Sequence, residues 1–153
     1  YNMTGWRVGF VCGNTQAIKA LGTIKNNIDS GTFKAIQQAA SVAYEAPKEQ
    51  IDKLNAMYEE RKHVMEDGLR ESGWNITPSK ATFYLWLPVP KGFTSEEFVT
   101  VMLDKAGVVV PPGNGYGTYG EGYFRIALTK DVETIKKALQ KMKDAGISFN
   151  MKK

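Results

Sequence analysis

A chain of 153 residues is long enough for one domain of ordinary size, and 42% hydrophobic against 24% charged residues is the balance of a globular protein rather than a disordered one. No apolar run approaches the roughly eighteen residues of a membrane span, no basic-then-apolar leader opens the chain, and a net charge of +4 with its lysines spread along helices leaves neither a nucleic-acid stripe nor a membrane surface. The single cysteine, Cys12, has no intramolecular partner, so a reducing, cytoplasmic setting is expected.

In chain order, residues 6–11 form a short apolar run interrupted by Gly9 and closed by Gly13-Asn14, which predicts a buried strand and a turn, with Cys12 a small core residue. Residues 15–28 carry Ala17, Ile18, Leu21, Ile24 and Ile28 at helical spacing, and Asp29-Ser30-Gly31 breaks the pattern. Residues 32–46 are small and apolar, with Ala39, Ala40 and Ala43 permitting close helix packing. Pro47 suits the first turn of a further helix, because its missing N–H has no intrahelical partner there. Ile51, Leu54, Tyr58, Met65 and Leu69 continue that helix on one face to Gly73, a length of about 25 residues or ~38 Å, suited to a spine between two regions.

Beyond the spine the period changes from helical to alternating. Phe83, Leu85 and Leu87 share one face of a strand, Tyr84 and Trp86 the other, and Pro88 and Pro90 end it. Thr94 and Glu97 stand three residues apart as a capping box before the helix of Phe98, Met102 and Leu103, which Gly107 stops. Residues 108–110, all valine, predict a short strand, residues 111–122 a glycine-rich loop, and residues 123–128 a further strand. Val132, Ile135, Leu139 and Met142 mark a last helix ending at Gly146. The expected architecture is α+β: a small antiparallel or mixed sheet packed with helices, plus the long spine helix. It divides at 1–46, 47–80 and 81–153.

Three places carry candidate chemistry. In the strand at 123–128, Phe124, Ile126 and Leu128 face the helices, so Arg125 projects from the opposite face beside the glycine-rich loop. There it either grips a carboxylate through two parallel hydrogen bonds or is a solvated arginine on an open sheet. The loop contains Gly115-x-Gly117-x-x-Gly120, literally the dinucleotide string, yet a strand follows where that fingerprint requires a helix. Arg7 lies in an otherwise apolar segment between Gly5 and Gly9, and a buried guanidinium there needs an anion, either a phosphate or a structural carboxylate. His63, the only histidine, sits among Arg61, Lys62 and Glu66 with no second ligand at metal spacing, so no metal site is expected.

Asn2-Met3-Thr4-Gly5-Trp6-Arg7-Val8-Gly9 resembles the segment that follows the catalytic lysine in fold-type I pyridoxal-phosphate aminotransferases. Pro112-Gly113 with Gly120-Glu121-Gly122-Tyr123-Phe124-Arg125-Ile126-Ala127 resembles that family's second hallmark. The resemblance covers essentially the whole chain. It implies an α/β parent of the aspartate aminotransferase type that moves an amino group between an amino acid and a 2-oxo acid. Arg7 would hold the phosphate of pyridoxal 5'-phosphate and Arg125 the substrate α-carboxylate. The stretch from Ala20 to Gln37 is similar to LL-diaminopimelate aminotransferases. In that family it approaches the active site of the partner subunit, so the resemblance implies a homodimer with Asn27, Asp29 and Ser30 at the substrate; ordinary capping at a helix break is the alternative for these three.

The Schiff-base lysine of the family pattern would fall before Tyr1, so no catalytic residue is assigned and the 153 residues alone are expected not to transaminate. The strand at 6–11, without its neighbours, is expected to drive self-association or to be rerouted. Two other readings remain: a non-catalytic α+β module binding carboxylates or protein, and another enzyme of the same fold, a carbon–sulfur lyase or a decarboxylating synthase.

Overall fold

The computed structural model describes residues 1–153 and separates them into two compact units, Tyr1–Asn55 and Ala56–Lys153. The dividing point lies inside a continuous helix.

The first unit is helical. Helix α1 (Thr15–Ile28) starts where expected because the Asn14 side chain accepts hydrogen bonds from the Gln16 and Ala17 amides at 2.9 and 3.2 Å. Helix α2 spans Lys34–Tyr44, and α3 (Lys48–Glu71) begins one residue after Pro47. No residue from 1 to 55 is buried.

Residues 6–11 are not the buried strand that their composition predicts. They pair with nothing, Phe10 and Val11 are exposed, and Cys12 is exposed as well rather than part of a core. The reason is physical: a strand exists only through hydrogen bonds to a neighbour, and the strands of this chain pair with each other. A local turn forms instead, closed by the Trp6 amide on the Met3 carbonyl at 3.2 Å, with Gly5 at φ 94° in the position where a type II turn demands a positive φ.

The second unit contains the core. The last third of α3 contributes Met65 and Leu69, and α3 ends as Gly73 takes φ 90° and the Trp74 amide reaches back to the Leu69 carbonyl at 3.1 Å. Strands β1 (Tyr84–Pro88) and β2 (Tyr123–Ala127) form a two-stranded antiparallel sheet in which Trp86 opposes Arg125 and Leu87 opposes Phe124. Leu85, Leu87, Phe124, Ile126 and Leu128 are buried on one face, against α4 (Ser95–Ala106) and α5 (Val132–Asp144). Trp74, Phe98 and Phe124 meet at the centre, with ring centroids 5.0–6.3 Å apart, and the Trp74 indole N–H is satisfied by the Pro88 carbonyl at 3.0 Å. The capping box of α4 is present in both directions, Thr94 amide to Glu97 at 2.9 Å and Glu97 amide to Thr94 at 3.3 Å.

Residues 108–110 also differ from expectation. They are extended but are not a strand of this sheet: Val110 turns into the core, Val109 is open, and contact with β2 is limited to the hydrogen bond at Pro111 and the bridge at Pro112 that follow. The observed order after the spine is therefore β-α-β-α, with the glycine-rich loop between α4 and β2.

Candidate functional site

The site grows from the outward face of the sheet. Alternation along β2 buries Phe124 and Ile126 and sends Arg125 to the other side, where its backbone amide donates to the Pro111 carbonyl at 3.1 Å. Pro112 forms an isolated bridge to Phe124, so the start of the glycine-rich loop runs beside β2 like a partial third strand. The loop then folds into two 3-10 turns, Gly113–Tyr116 and Thr118–Gly120.

Its glycines are needed for contact rather than for dihedral freedom at two positions. A Cβ on Gly113 would run into the carbonyl of Gly120 and come within 2.7 Å of the Tyr123 carbonyl; a Cβ on Gly120 would run into the Gly113 carbonyl. The two turns are thus pressed backbone to backbone. From outside, α4 braces them. The buried Ser95 hydroxyl accepts from the Gly122 and Tyr123 amides at 2.9 and 3.2 Å. Glu121 accepts from the Ser95 amide at 2.8 Å, placing a carboxylate at the positive end of α4. Asn114 donates to Glu96 at 3.1 Å. The loop is a fixed wall, and no helix follows it, as a dinucleotide fold would require.

Against that wall lies the Arg125 guanidinium, half-buried, with its central carbon 4.1 Å from the centroid of the Tyr84 ring and 4.5 Å from that of Tyr116. Its Nε is buried and has no hydrogen-bond partner. A buried guanidinium N–H without an acceptor is costly in a finished protein, and a planar fork with unsatisfied donors matches a carboxylate presented edge-on. Trp86 extends the aromatic wall, stacked on Tyr123 at 5.8 Å and edge-on to Tyr116 at 5.7 Å.

The residues assigned in the first unit present simpler chemistry. Arg7 is exposed rather than buried, and its backbone sits at φ 53°, a left-handed conformation rare for a residue with a side chain. It makes no hydrogen bond or ion pair with Asn27, Asp29 or Ser30. Asn27 donates to the Thr23 carbonyl at 2.8 Å, within its own helix. Asp29 pairs with Lys25 and accepts from the Gly31 amide at 2.8 Å; the Lys25 ammonium, then that amide, hold its carboxyl below the usual carboxylate range. Ser30 is exposed in the bend that follows. All three occupy the capping turn of α1. His63 is exposed, 3.7 Å from Glu59.

Sequence reasoning missed Tyr84 and Tyr116 beside Arg125, and Ser95 and Glu121 behind the loop. Tyr84 was within reach, since it shares the outward face and lies diagonally across the antiparallel register from Arg125. The contacts of Tyr116, Ser95 and Glu121 depend on how the loop folds over the sheet, which no spacing encodes.

Comparison with known proteins bears on this arrangement. The family model for aminotransferase class I and II matches residues 1–142. The chain is 54% identical over 149 residues to LL-diaminopimelate aminotransferase 2 of Nostoc, covering 97% of the chain and 38% of that relative. It is 55% identical over 150 residues to LL-diaminopimelate aminotransferase of Gloeobacter violaceus, with the same coverage. Among solved structures it is similar to substrate-bound BacF from Bacillus subtilis, with a TM-score of 0.86 and 31% identity over 99% of the chain and 39% of that structure. It is also similar to an aromatic aminotransferase from Pyrococcus horikoshii, with a TM-score of 0.83 and 30% identity over 93% of the chain and 39% of that structure. The chain thus spans about 38% of the length of the curated relatives it matches. With a family match that runs through both the Arg7 segment and the Arg125 strand, and with the fold of the solved enzymes, this chain belongs to the class I and II aminotransferases.

Proposed function

We propose that the protein carrying this chain transfers an amino group from an amino acid to a 2-oxo acid with pyridoxal 5'-phosphate, and that LL-diaminopimelate is its amino acid substrate. The reaction class follows from the family, whose members use this cofactor in general. The choice of amino acid follows the relatives at 54% and 55% identity.

The observation that carries the reading is Arg125: a guanidinium fixed against a rigid loop, with a buried N–H that has no acceptor. Both substrates of a transaminase carry a carboxylate beside the reacting carbon, and Arg125 is the group that receives it and so orients that carbon. Arg7 fits the cofactor's phosphate, as a permanent cation with no acid partner, and with open space at the Cβ positions of its neighbours Gly5 and Gly9. When bound, pyridoxal phosphate supplies the electron sink for the chemistry. Asn27, Asp29 and Ser30 belong at the substrate site across the interface of a cytoplasmic homodimer, where the charged side chain of Asp29 suits a substrate with a second ammonium group.

The test is amino transfer by the full-length protein from LL-diaminopimelate compared with aspartate, alanine and aromatic amino acids. Transfer from LL-diaminopimelate is expected to dominate. Arg125→Ala should lower kcat/KM by about 2–5 kcal/mol of transition-state stabilisation, the loss of a charge-assisted bidentate pair. Unchanged kinetics in that variant would remove Arg125 from the site, and preference for another amino acid would remove the substrate assignment.

A further inference from the structure

We propose that Tyr84 and Tyr116 are positioning residues for the carboxylate clamp: their rings hold the Arg125 guanidinium in place while leaving its hydrogen-bond donors for the ligand. The inference rests on Arg125 binding the substrate carboxylate.

An arginine side chain is long and flexible, and a site that must catch a small anion in one orientation needs it fixed beforehand. The usual device is a protein carboxylate. Here it would be self-defeating, since an acid on the guanidinium would occupy the same fork that the ligand needs and cancel its charge. No acid touches Arg125, and its guanidinium makes no hydrogen bond within the chain. Two tyrosine rings stand against it instead, at 4.1 and 4.5 Å. An aromatic face attracts a cation through its quadrupole, without accepting any of the in-plane hydrogen bonds. The charge is therefore held and the donors remain unspent, which is the state that leaves Nε buried and unpartnered.

Each ring is itself held. Tyr84 is fixed by β1, with the Phe83 ring 4.4 Å away. Tyr116 ends the first 3-10 turn, which Gly120 and α4 keep in place, and the edge-on contact with Trp86 sets its tilt. Trp86 is in turn the cross-strand partner of Arg125. The wall is thus rigid on both sides of the arginine's attachment, and the hydroxyls of Tyr84 and Tyr116 are not required by it.

The test separates ring face from hydroxyl. In the full-length enzyme, Tyr84→Leu and Tyr116→Leu should each raise KM for the amino acid and the 2-oxo acid alike by about tenfold, with kcat altered by no more than about twofold, because the carboxylate contact is the same in ground and transition states. Tyr84→Phe and Tyr116→Phe, which keep the ring, should recover most of that loss. Tyr116 is half exposed, so its replacement leaves the core intact. An independent readout is the Arg125 Nε–H resonance in the isotopically labelled full-length enzyme, shielded by the rings. It should move downfield in the Leu variants and stay in place in the Phe variants. Leu variants with unchanged KM and an unmoved resonance overturn the proposal, as do Phe variants as impaired as the Leu ones. Arg125→Lys distinguishes the two levels. A raised KM there beside normal Tyr→Leu variants sinks only the positioning role, whereas an unchanged KM removes the clamp and the proposal together.

Discussion

Residues 1–55 and residues 56–153 are built from the same kind of helix, with apolar side chains at the same spacing, and they bury quite different amounts of it. In α1 the stripe of Leu21, Ile24 and Ile28 stands open, and Phe33 and Val42 follow it. In α4 and α5 the corresponding stripes of Phe98 and Met102, and of Ile135 and Met142, are buried almost completely. Amphipathic spacing states that a face is to be covered; it does not state by what. The second unit supplies its own cover in the two-stranded sheet and the end of α3, and so possesses a core. The first supplies none, and the chain spans about 38% of the length of its curated relatives.

The sharpest way to break this contrast is truncation of one aromatic in each unit. Phe98→Ala, at the centre of the aromatic cluster, should lower stability by about 3–5 kcal/mol in urea denaturation. Phe33→Ala, at 72% exposure, should change it by no more than about 0.5 kcal/mol. Equal effects would mean that the first unit finds cover in solution. Next in size is Ser95→Ala, which leaves the Gly122 and Tyr123 amides without their acceptor; a loss of about 1–3 kcal/mol is expected, with weaker carboxylate binding as the loop loosens. Normal stability in that variant would show that the loop holds without its brace.

Helix caps offer a finer probe. Asp131 caps α5 through the Thr134 amide at 2.8 Å, and Asp131→Ala should cost about 1 kcal/mol of cooperative unfolding. Asn14 caps α1 by the same chemistry, yet Asn14→Ala should only weaken the helical signal of α1 and leave the unfolding midpoint in place, because α1 has no buried residue. A shift of the midpoint would contradict the separation.

Smallest is an acid effect. Lys153, and then the Thr94 amide, hold the Glu97 carboxyl at about 2, well below its ordinary 4.5. A depressed carboxyl stabilises the folded state fully above pH 4.5, and that contribution disappears as pH falls from 4.5 to about 2. The difference in melting temperature between wild type and Glu97→Gln should therefore be present at pH 7 and vanish near pH 2. A difference that persists in acid would show that the cap works without the charge.

Most local structure was legible from the residues. Asn14 before α1, Thr94 with Glu97 at α4 and Gly107 after it give helix limits that follow from which backbone groups their side chains satisfy. The alternation in β2 sets the outward direction of Arg125 independently of what the side chain meets there. Residues 6–11 and 108–110 depart from the strands that their composition predicts for one shared reason: a strand is a relation between two segments, and apolar composition describes only one of them. Arg7, expected to be buried with that strand, is exposed for the same reason.

The sequence by itself determined where helices start and stop, which faces are apolar, and that a guanidinium leaves the sheet beside a glycine-rich loop, because each depends on neighbours within a few residues. Only the tertiary structure decided that Gly113 and Gly120 press together, that Ser95 locks the loop from behind, and that Tyr84 and Tyr116 lie against Arg125. Those contacts join residues up to 41 positions apart, from Tyr84 to Arg125, and they are fixed by packing and hydrogen bonding across elements, for which local spacing carries no signal.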